Sequence, residues 1–571
     1  MCDQLRADYL SCMGHDRLET PHIDGLASKG VLFTRAYCQA PICGGSRMNF
    51  YTGRYAFTHG ASWNGIPLNL NEKTIGDYLK PLGYRVALVG KTHMVADQEG
   101  MARLGIDPQS DIGIQLSECG FEPYERDDGL WGNDDFPPPN FAYNNHLRSL
   151  GYESDNPWHD FANSAEGPHG ELLSGWYLRH SHLPARVSEK DSETAYMTNK
   201  AMEFIEEAAE DPWCLHLSYI KPHWPYIAPS PYHSMYGHND IKPVNRHPKE
   251  RENPHPLMKL YMEREDSRTF SREEVRANVI PTYMGLIKQI DDHIGRLLKF
   301  LEDNGRMNDT VIIFTSDHGD YLGDHWLGEK ELFHEESVRI PFIVYEPSMA
   351  SDVSRGKVDD RLVESIDLVP TLIDIAGGNI PNHILEGRSL LPLLHGENPK
   401  NWRSYVVSES EYATRIAFWD LGLEAHEARA TMIRTKDWKY IFHESFRPEL
   451  FDMKNDPEEL CDLGEDQVMG FISCSLTAEQ RKGALTNSAN TAKVQAFFGG
   501  MTNPFRSNNV HALWLGTSGA PGNIGISSNA VPNGVFVDSP VTWYRGDTDQ
   551  ELSCVRYPSD PNCWKEFIPI E

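Results

Sequence analysis

Four stretches of the sequence run from a short apolar segment directly into side chains that bind metal ions or anions. They are Asp3-Gln4, Cys43-Gly44-Gly45-Ser46-Arg47, Gly90-Lys91-Thr92-His93 after Ala87-Leu88-Val89, and Ser316-Asp317-His318 after Ile312-Ile313-Phe314-Thr315. Together they offer carboxylate, amide and imidazole ligands, a thiol as candidate nucleophile, and several cations. That combination suits hydrolysis of an oxyanion ester such as a sulfate or a phosphate. Each group taken alone has a plainer reading: Cys43 as a buried thiol beside a turn, Asp317-His318 as a strand-ending cap, Lys91 and His93 as solvated loop residues, and His223 as a turn histidine between prolines. Only their joint occurrence points to a site.

The elements that must carry these groups follow from the apolar pattern. A run of four to eight apolar residues ending in Gly, Asp or His suits a strand buried on both faces, and open α/β sheets place their ligands at the strands' carboxyl edge. From Thr74 the sequence predicts a helix, a turn at Gly83 and a strand over Arg85–Val89. Met197, Ala201, Phe204, Ile205 and Ala208 have helical spacing within 192–209 and lead through Asp211-Pro212 into a strand at Cys214–Ile220. Tyr283–Leu301 repeats the arrangement before the strand at Val311, and Ser46–Thr52 can start a helix. The alternation implies an α/β fold with a mostly parallel sheet covered by helices on both faces. Residues 1–395 are expected to form this catalytic domain, with an insertion at about 120–191 that could wall a substrate. Short strands at 431–434, 438–441 and 449–452 predict a smaller antiparallel subdomain over 396–463, and 464–571 reads as an irregular appendage.

Composition narrows the partners. Of 571 residues 40% are hydrophobic and 24% charged, an ordinary globular balance. Fifty-three basic against 83 acidic residues give a net charge of -30, which disfavours nucleic acid and anionic membranes. An anionic substrate must therefore be met by local cations or a metal. No stretch of about 18 apolar residues appears. The absence of a secretory pattern and of CxxC spacing among ten cysteines gives a cytoplasmic expectation with mostly reduced thiols; Cys554 and Cys563 are the one suspected bridge.

From Asp3 to about residue 463 these motifs resemble the sulfatase family of the alkaline phosphatase superfamily, which includes arylsulfatases, choline sulfatases and phosphonate monoester hydrolases. Pro21-His22-Ile23-Asp24-Gly25, Phe50-Tyr51-Thr52-Gly53-Arg54, Gly319-Asp320-Tyr321-Leu322-Gly323-Asp324-His325 and Leu385-Glu386-Gly387-Arg388 belong to the same likeness. The resemblance implies that a maturation enzyme oxidises Cys43 to formylglycine, whose hydrated aldehyde is the nucleophile. It implies one divalent metal, Ca²⁺ or alternatively Mn²⁺, held by Asp3, Gln4, Asp317 and His318 together with the modified Cys43. Arg47 would help activate the hydrate, Lys91 and Lys330 would hold sulfate oxygens, His93 would deprotonate the second hydroxyl, and His223 would serve the leaving group. Asn64 is a weaker candidate for the oxyanion.

Two features depart from the family pattern. Gly45 stands where the modified motif has Pro or Ala, and only Met1 and Cys2 precede Asp3, where the family has a complete central strand. Such a short strand should leave two neighbouring strand edges open. The implied activity is hydrolysis of a small-molecule sulfate ester. The alternatives are a phosphonate monoester or phosphodiester hydrolase with the same groups, and a non-catalytic relic that binds anions. Self-association as a homo-oligomer is left open. Peptide mass spectrometry of protein from a host with the maturation enzyme should show the aldehyde at position 43; finding only free thiol there would exclude the modification. Cys43→Ala should lose turnover and keep the metal.

Overall fold

The computed structural model describes residues 1–130, 141–412, 422–424 and 426–464, with the backbone of 543–544 and 551–552. Two compact units divide the chain, one of Met1–Phe446 with Met453–Cys461 and one of Arg447–Asp452 with the residues from Asp462 onward. In the second unit Glu449–Asp452 is a strand, and Trp543–Tyr544 pairs antiparallel with Glu551–Leu552. The rest of the expected appendage at 464–571, with Cys554 and Cys563, lies outside the described residues, as does 131–140 of the expected insertion.

The first unit is built on two strand arrays. The first runs β1 (Cys2–Asp3), β5 (Trp213–Pro222), β3 (Arg85–Gly90), β4 (Glu122–Arg126), with every pairing parallel. The second runs β8 (Lys357–Asp359), β2 (Val31–Tyr37), β7 (Arg339–Tyr345), β6 (Ile312–Thr315). Here β7 is antiparallel to both neighbours, so the expected mostly parallel sheet carries one reversed strand. A parallel bridge between Cys2 and Ser316 joins the arrays at β1. Strands β9 (Tyr405–Glu411), β10 (Arg429–Thr435) and β11 (Trp438–His443) form an antiparallel sheet in the same unit.

The two-residue β1 sits in the middle of this arrangement. The Met1 ammonium donates to Leu217 O at 2.8 Å, Tyr219 N donates to Met1 O at 2.9 Å, and Asp317 N donates to Cys2 O at 3.2 Å. Upstream of these bonds Trp213–Leu217 and Ile312–Ile313 are only half-buried, and their facing edges have no partner strand among the described residues. This is the local pattern expected of a strand too short to cover both neighbours.

Helices cover the arrays because their apolar stripes match the sheet faces. α1 (Pro21–Lys29) buries Ile23, Leu26 and Ala27. α2 (Cys43–Thr52) starts three residues earlier than the sequence suggested, at Cys43 itself, and ends at Gly53, whose φ of 68° is left-handed. α3 (Ile75–Leu79) begins where Asp77 accepts from Thr74 N at 2.8 Å, and α4 (Glu193–Ala208) is capped by Ser192 Oγ, which accepts from Ala195 N. α5 (Glu273–Asp303) begins ten residues before the predicted helix and buries Tyr283, Met284, Ile287 and Ile290. Tyr283, Met284, Ile287 and Ile290 join Cys2, Val89, Tyr219 and Phe314 in one core cluster, which ties the helix to the strand ends that hold the site.

Gly285 shows how tightly α5 is seated: a Cβ there would stand 2.1 Å from Tyr232 O. Gly25 in α1 has nothing within 4 Å of an added Cβ. Gly285→Ala should therefore cost about 1–3 kcal/mol from overpacking, whereas Gly25→Ala should gain about 0.5–1 kcal/mol from helix propensity. Denaturant unfolding of both variants checks the sign; equal effects would mean that Gly285 is not packed against Tyr232.

Candidate active site

Each candidate side chain sits where a strand ends or a helix begins. Asp3 closes β1, Lys91 follows β3, His223 follows β5 and Asp317 lies two residues beyond β6. Cys43 is the first residue of α2, so its sulfur meets the unpaired N–H groups and positive end of the helix dipole. Ile42 provides no side-chain cap. Asn64 does so from another loop, accepting from Gly44 N at 2.7 Å.

Cys43, Asp3, Asp317 and His318 are all buried, and one ligand atom from each falls within 4.8 Å of the others. Cys43 Sγ lies 3.0 Å from His318 Nε2 and 3.6 Å from Asp3 Oδ1. His318 Nδ1 donates to Gly319 O at 2.8 Å, which turns Nε2 toward the cluster and leaves it free to bind a metal. Gln4 holds φ = 65°, an uncommon conformation for a side-chain-bearing residue, fixed by Gln4 N donating to Asp317 Oδ1 and Gln4 O accepting from Tyr283 OH. Its amide is oriented from both ends: Nε2 donates to Asp320 Oδ2 at 2.6 Å and Oε1 accepts from Lys330 Nζ at 2.6 Å. Two carboxylates and an imidazole nitrogen converge beside the Cys43 sulfur in this buried cluster, a donor set that fits a divalent cation, while the Gln4 amide oxygen accepts from Lys330.

The cations enter from three directions. Arg47, with no exposed side-chain surface, donates to Asp317 Oδ2 (2.9 Å), Lys91 O (2.8 Å) and Ser218 Oγ (2.7 Å), and its Nη2 is 3.5 Å from Asp3 Oδ2. Lys91 Nζ is bonded to the other side of Asp3 Oδ2. Lys330 Nζ lies 3.1 Å from His223 Nε2, while His223 Nδ1 donates to Trp224 O at 2.7 Å. Burial alone would raise the Asp3 and Cys43 pKa values. The neighbouring cations more than offset it: Lys91, His223 and Arg47 hold Asp3 low, and Lys330, His318 and Lys91 hold the Cys43 thiol well below its ordinary value.

The structure thus brings together Asp3, Gln4, Cys43, Arg47, Lys91, His223, Asp317, His318 and Lys330. Asn64 joins them through the backbone of Gly44. His93 has no side-chain hydrogen bond to them: its φ is 55°, its backbone N–H is held by Asp128 at 2.8 Å, and its buried Nδ1 has no partner among the described residues. Ser218 and Asp128 shape the site but escaped the sequence reading, since a serine inside a strand and an aspartate in a loop give no local signal. Asp320 was legible as part of Gly319-Asp320 without a role; here it receives hydrogen bonds from Gln4 and Tyr226. A cleft of about 1220 Å³ opens beside the site, lined by Trp224, Tyr226 and Glu329 and by Trp176 and Tyr177 of the insertion. Trp176 and Trp224 meet edge to face at 5.0 Å. Among the described residues no helix is long and apolar enough to cross a membrane.

Comparison with known proteins agrees with this geometry. Residues 1–378 match the family model described as sulfatase, and residues 323–484 match that of the N-sulphoglucosamine sulphohydrolase C-terminal region. The multifunctional alkaline phosphatase superfamily protein PehA of Trinickia caryophylli is 30% identical, with 82% of this chain and 91% of that protein covered. An arylsulfatase of Clostridium perfringens is 28% identical over 81% of this chain and 89% of its own length. The phosphonate monoester hydrolase of Silicibacter pomeroyi superposes with a TM-score of 0.72 at 27% identity, covering 86% of this chain and 96% of that one. The chain belongs to the sulfatase family of hydrolases, within the alkaline phosphatase superfamily.

Proposed function

We propose that the protein hydrolyses small-molecule sulfate esters, with Cys43 matured to formylglycine and one divalent cation, Ca²⁺ or Mn²⁺, held by Asp3, Gln4, Asp317 and His318. The observation that supports this reading best is the burial of Cys43 at a helix N-terminus beside Lys91 and Lys330, whose charges favour an anion at that position. The cation would polarise the ester and ease ionisation of a hydroxyl at residue 43. An aldehyde hydrate has two hydroxyls, so one can attack sulfur and the other can expel sulfate by restoring the carbonyl, without a second attack by water.

The chain's own groups do the rest. Arg47 fixes Asp317 and the Lys91 backbone, so the ligands are positioned before substrate arrives. Lys91 and Lys330 neutralise charge on the non-bridging and leaving oxygens. In the Lys330–His223 pair the lysine holds the proton and Nε2 faces it, which presents one donor unit to the departing alcohol. His93, with its unpartnered Nδ1, takes the proton from the remaining hydroxyl.

A second reading is hydrolysis of phosphonate monoesters or phosphodiesters, favoured by the structural likeness to a phosphonate monoester hydrolase. Substitution at Lys91 and His93 tests the choice, because sulfate monoesters, phosphonate monoesters and phosphodiesters are all monoanions and net charge alone does not separate them. Replacing Lys91 with Tyr and His93 with Thr should lower kcat/KM for an aryl sulfate by a hundredfold or more, roughly the loss of a charged transition-state contact, and should lower it less for an aryl phosphonate. A parent enzyme that already prefers the phosphonate, or equal losses on both substrates, would transfer the assignment to the second reading. For the metal, Asp317→Ala should reduce occupancy and turnover together in elemental analysis and assay; full occupancy with a slowed reaction would remove Asp317 from the ligand set.

A further inference from the structure

A second cavity, of about 590 Å³, is bordered by Arg6 and Asp8 just downstream of Gln4 and by residues of β2 and β7; none of Cys43, Lys91, His223 or Lys330 lines it. Its wall holds seven lysines and arginines against five carboxylates, a local excess of positive charge in a chain of net charge -30. Those carboxylates are mostly committed. Asp8 pairs with Arg6 and Lys242, and Asp324 pairs with Arg6. Glu335 pairs with Arg434 and Lys439, and Glu336 with His325. Glu458 is exposed to solvent.

This leaves two cations over. Arg35 on β2 and Arg339 at the start of β7 have no ion pair or side-chain hydrogen bond among the described residues, although both are half-buried. Arg339 Nε is itself buried without a partner. Arg339 is the register partner of Tyr37, Arg35 lies in the irregular stretch of β2 just before it, and both residues line this one cavity. The field of Arg339 reaches Glu335, but that carboxylate is already bonded to Arg434 and Lys439. A half-buried guanidinium lacking a counter-charge is costly, and its planar fork matches the oxygens of a tetrahedral anion.

We propose that this cavity binds a small oxyanion, either sulfate or phosphate or a group ending in one, through Arg35 and Arg339. The site is independent of the catalytic groups, so it stands or falls apart from the sulfatase reading. Equilibrium dialysis of the metal-loaded full chain against inorganic sulfate, and separately against inorganic phosphate, tests it and ranks the two ions. A Lys91→Ala, Lys330→Ala variant, which lacks the two lysines proposed to hold an anion at the active site, should still bind one equivalent at millimolar concentration. Adding Arg35→Ala and Arg339→Ala should abolish that equivalent, whereas Lys at both positions should weaken it about tenfold by losing the bidentate fork. In the otherwise unaltered chain, Arg35→Ala with Arg339→Ala should leave kcat/KM and inhibition by sulfate unchanged while one bound equivalent disappears. Binding lost entirely with Lys91 and Lys330, or a count unaffected by removal of both arginines, would overturn the proposal.

Discussion

Arg47 is wholly buried, and its guanidinium is shared among the carboxylate of Asp317, the carbonyl of Lys91 and the hydroxyl of Ser218. Lys91 and Asp317 follow two strands and Ser218 lies within a third, so one side chain from α2 ties three strands together near their carboxyl ends. A charge in such a place is tolerable only when its partners are complete; removing one member of a buried pair generally costs about 3–5 kcal/mol. The arrangement therefore demands that Asp3 and Asp317 stay ionised and that Lys91 keep its backbone position. Gly90 makes this possible. Its φ of 105° and an approach that would put a Cβ 2.0 Å from Ser218 O leave room only for glycine before Lys91.

The same constraint accounts for the helix start. Gly44 and Gly45 lie in the first turn of α2, and a Cβ at residue 45 would stand 2.9 Å from Ser62 O and 3.1 Å from Ala40 Cβ. The loop that carries Ser62, Trp63 and Asn64 is thus pressed against the helix, and Asn64 supplies the cap that Ile42 lacks. Glycine at position 45, where related motifs have Pro or Ala, is the packing counterpart of this close loop. Sequence departure and structural feature have one cause.

Charge is distributed with the same logic at larger scale. The chain is strongly acidic overall, yet cations gather at two places: around Cys43, where carboxylates and sulfur answer them, and around the cavity of Arg35 and Arg339, where four of the five lining carboxylates are already paired. In the first place burial and mutual pairing organise the candidate site. In the second an unanswered pair of guanidinium groups is left facing a cavity.

Much of the fold was legible because its determinants are local. The apolar runs before Lys91 and Asp317, the helical spacing within 192–209 and the turn at Gly83 each depend on residues within a few positions, and burial follows from that periodicity. The helix starts at Cys43 and Glu273 were misjudged by three and ten residues, because what sets a helix start is a partner for its free N–H groups, and at Cys43 that partner is Asn64. The residue types of the candidate site, two carboxylates, an amide, a thiol, imidazoles and lysines, could be read from sequence alone. Only the tertiary structure decided that Lys330 bonds Gln4 and His223, that Ser218 and Asp128 hold Arg47 and His93, and that Arg35 and Arg339 line one cavity. Those contacts join residues tens to hundreds of positions apart, and whether two such groups meet is set by strand order and register, which no short stretch of sequence encodes.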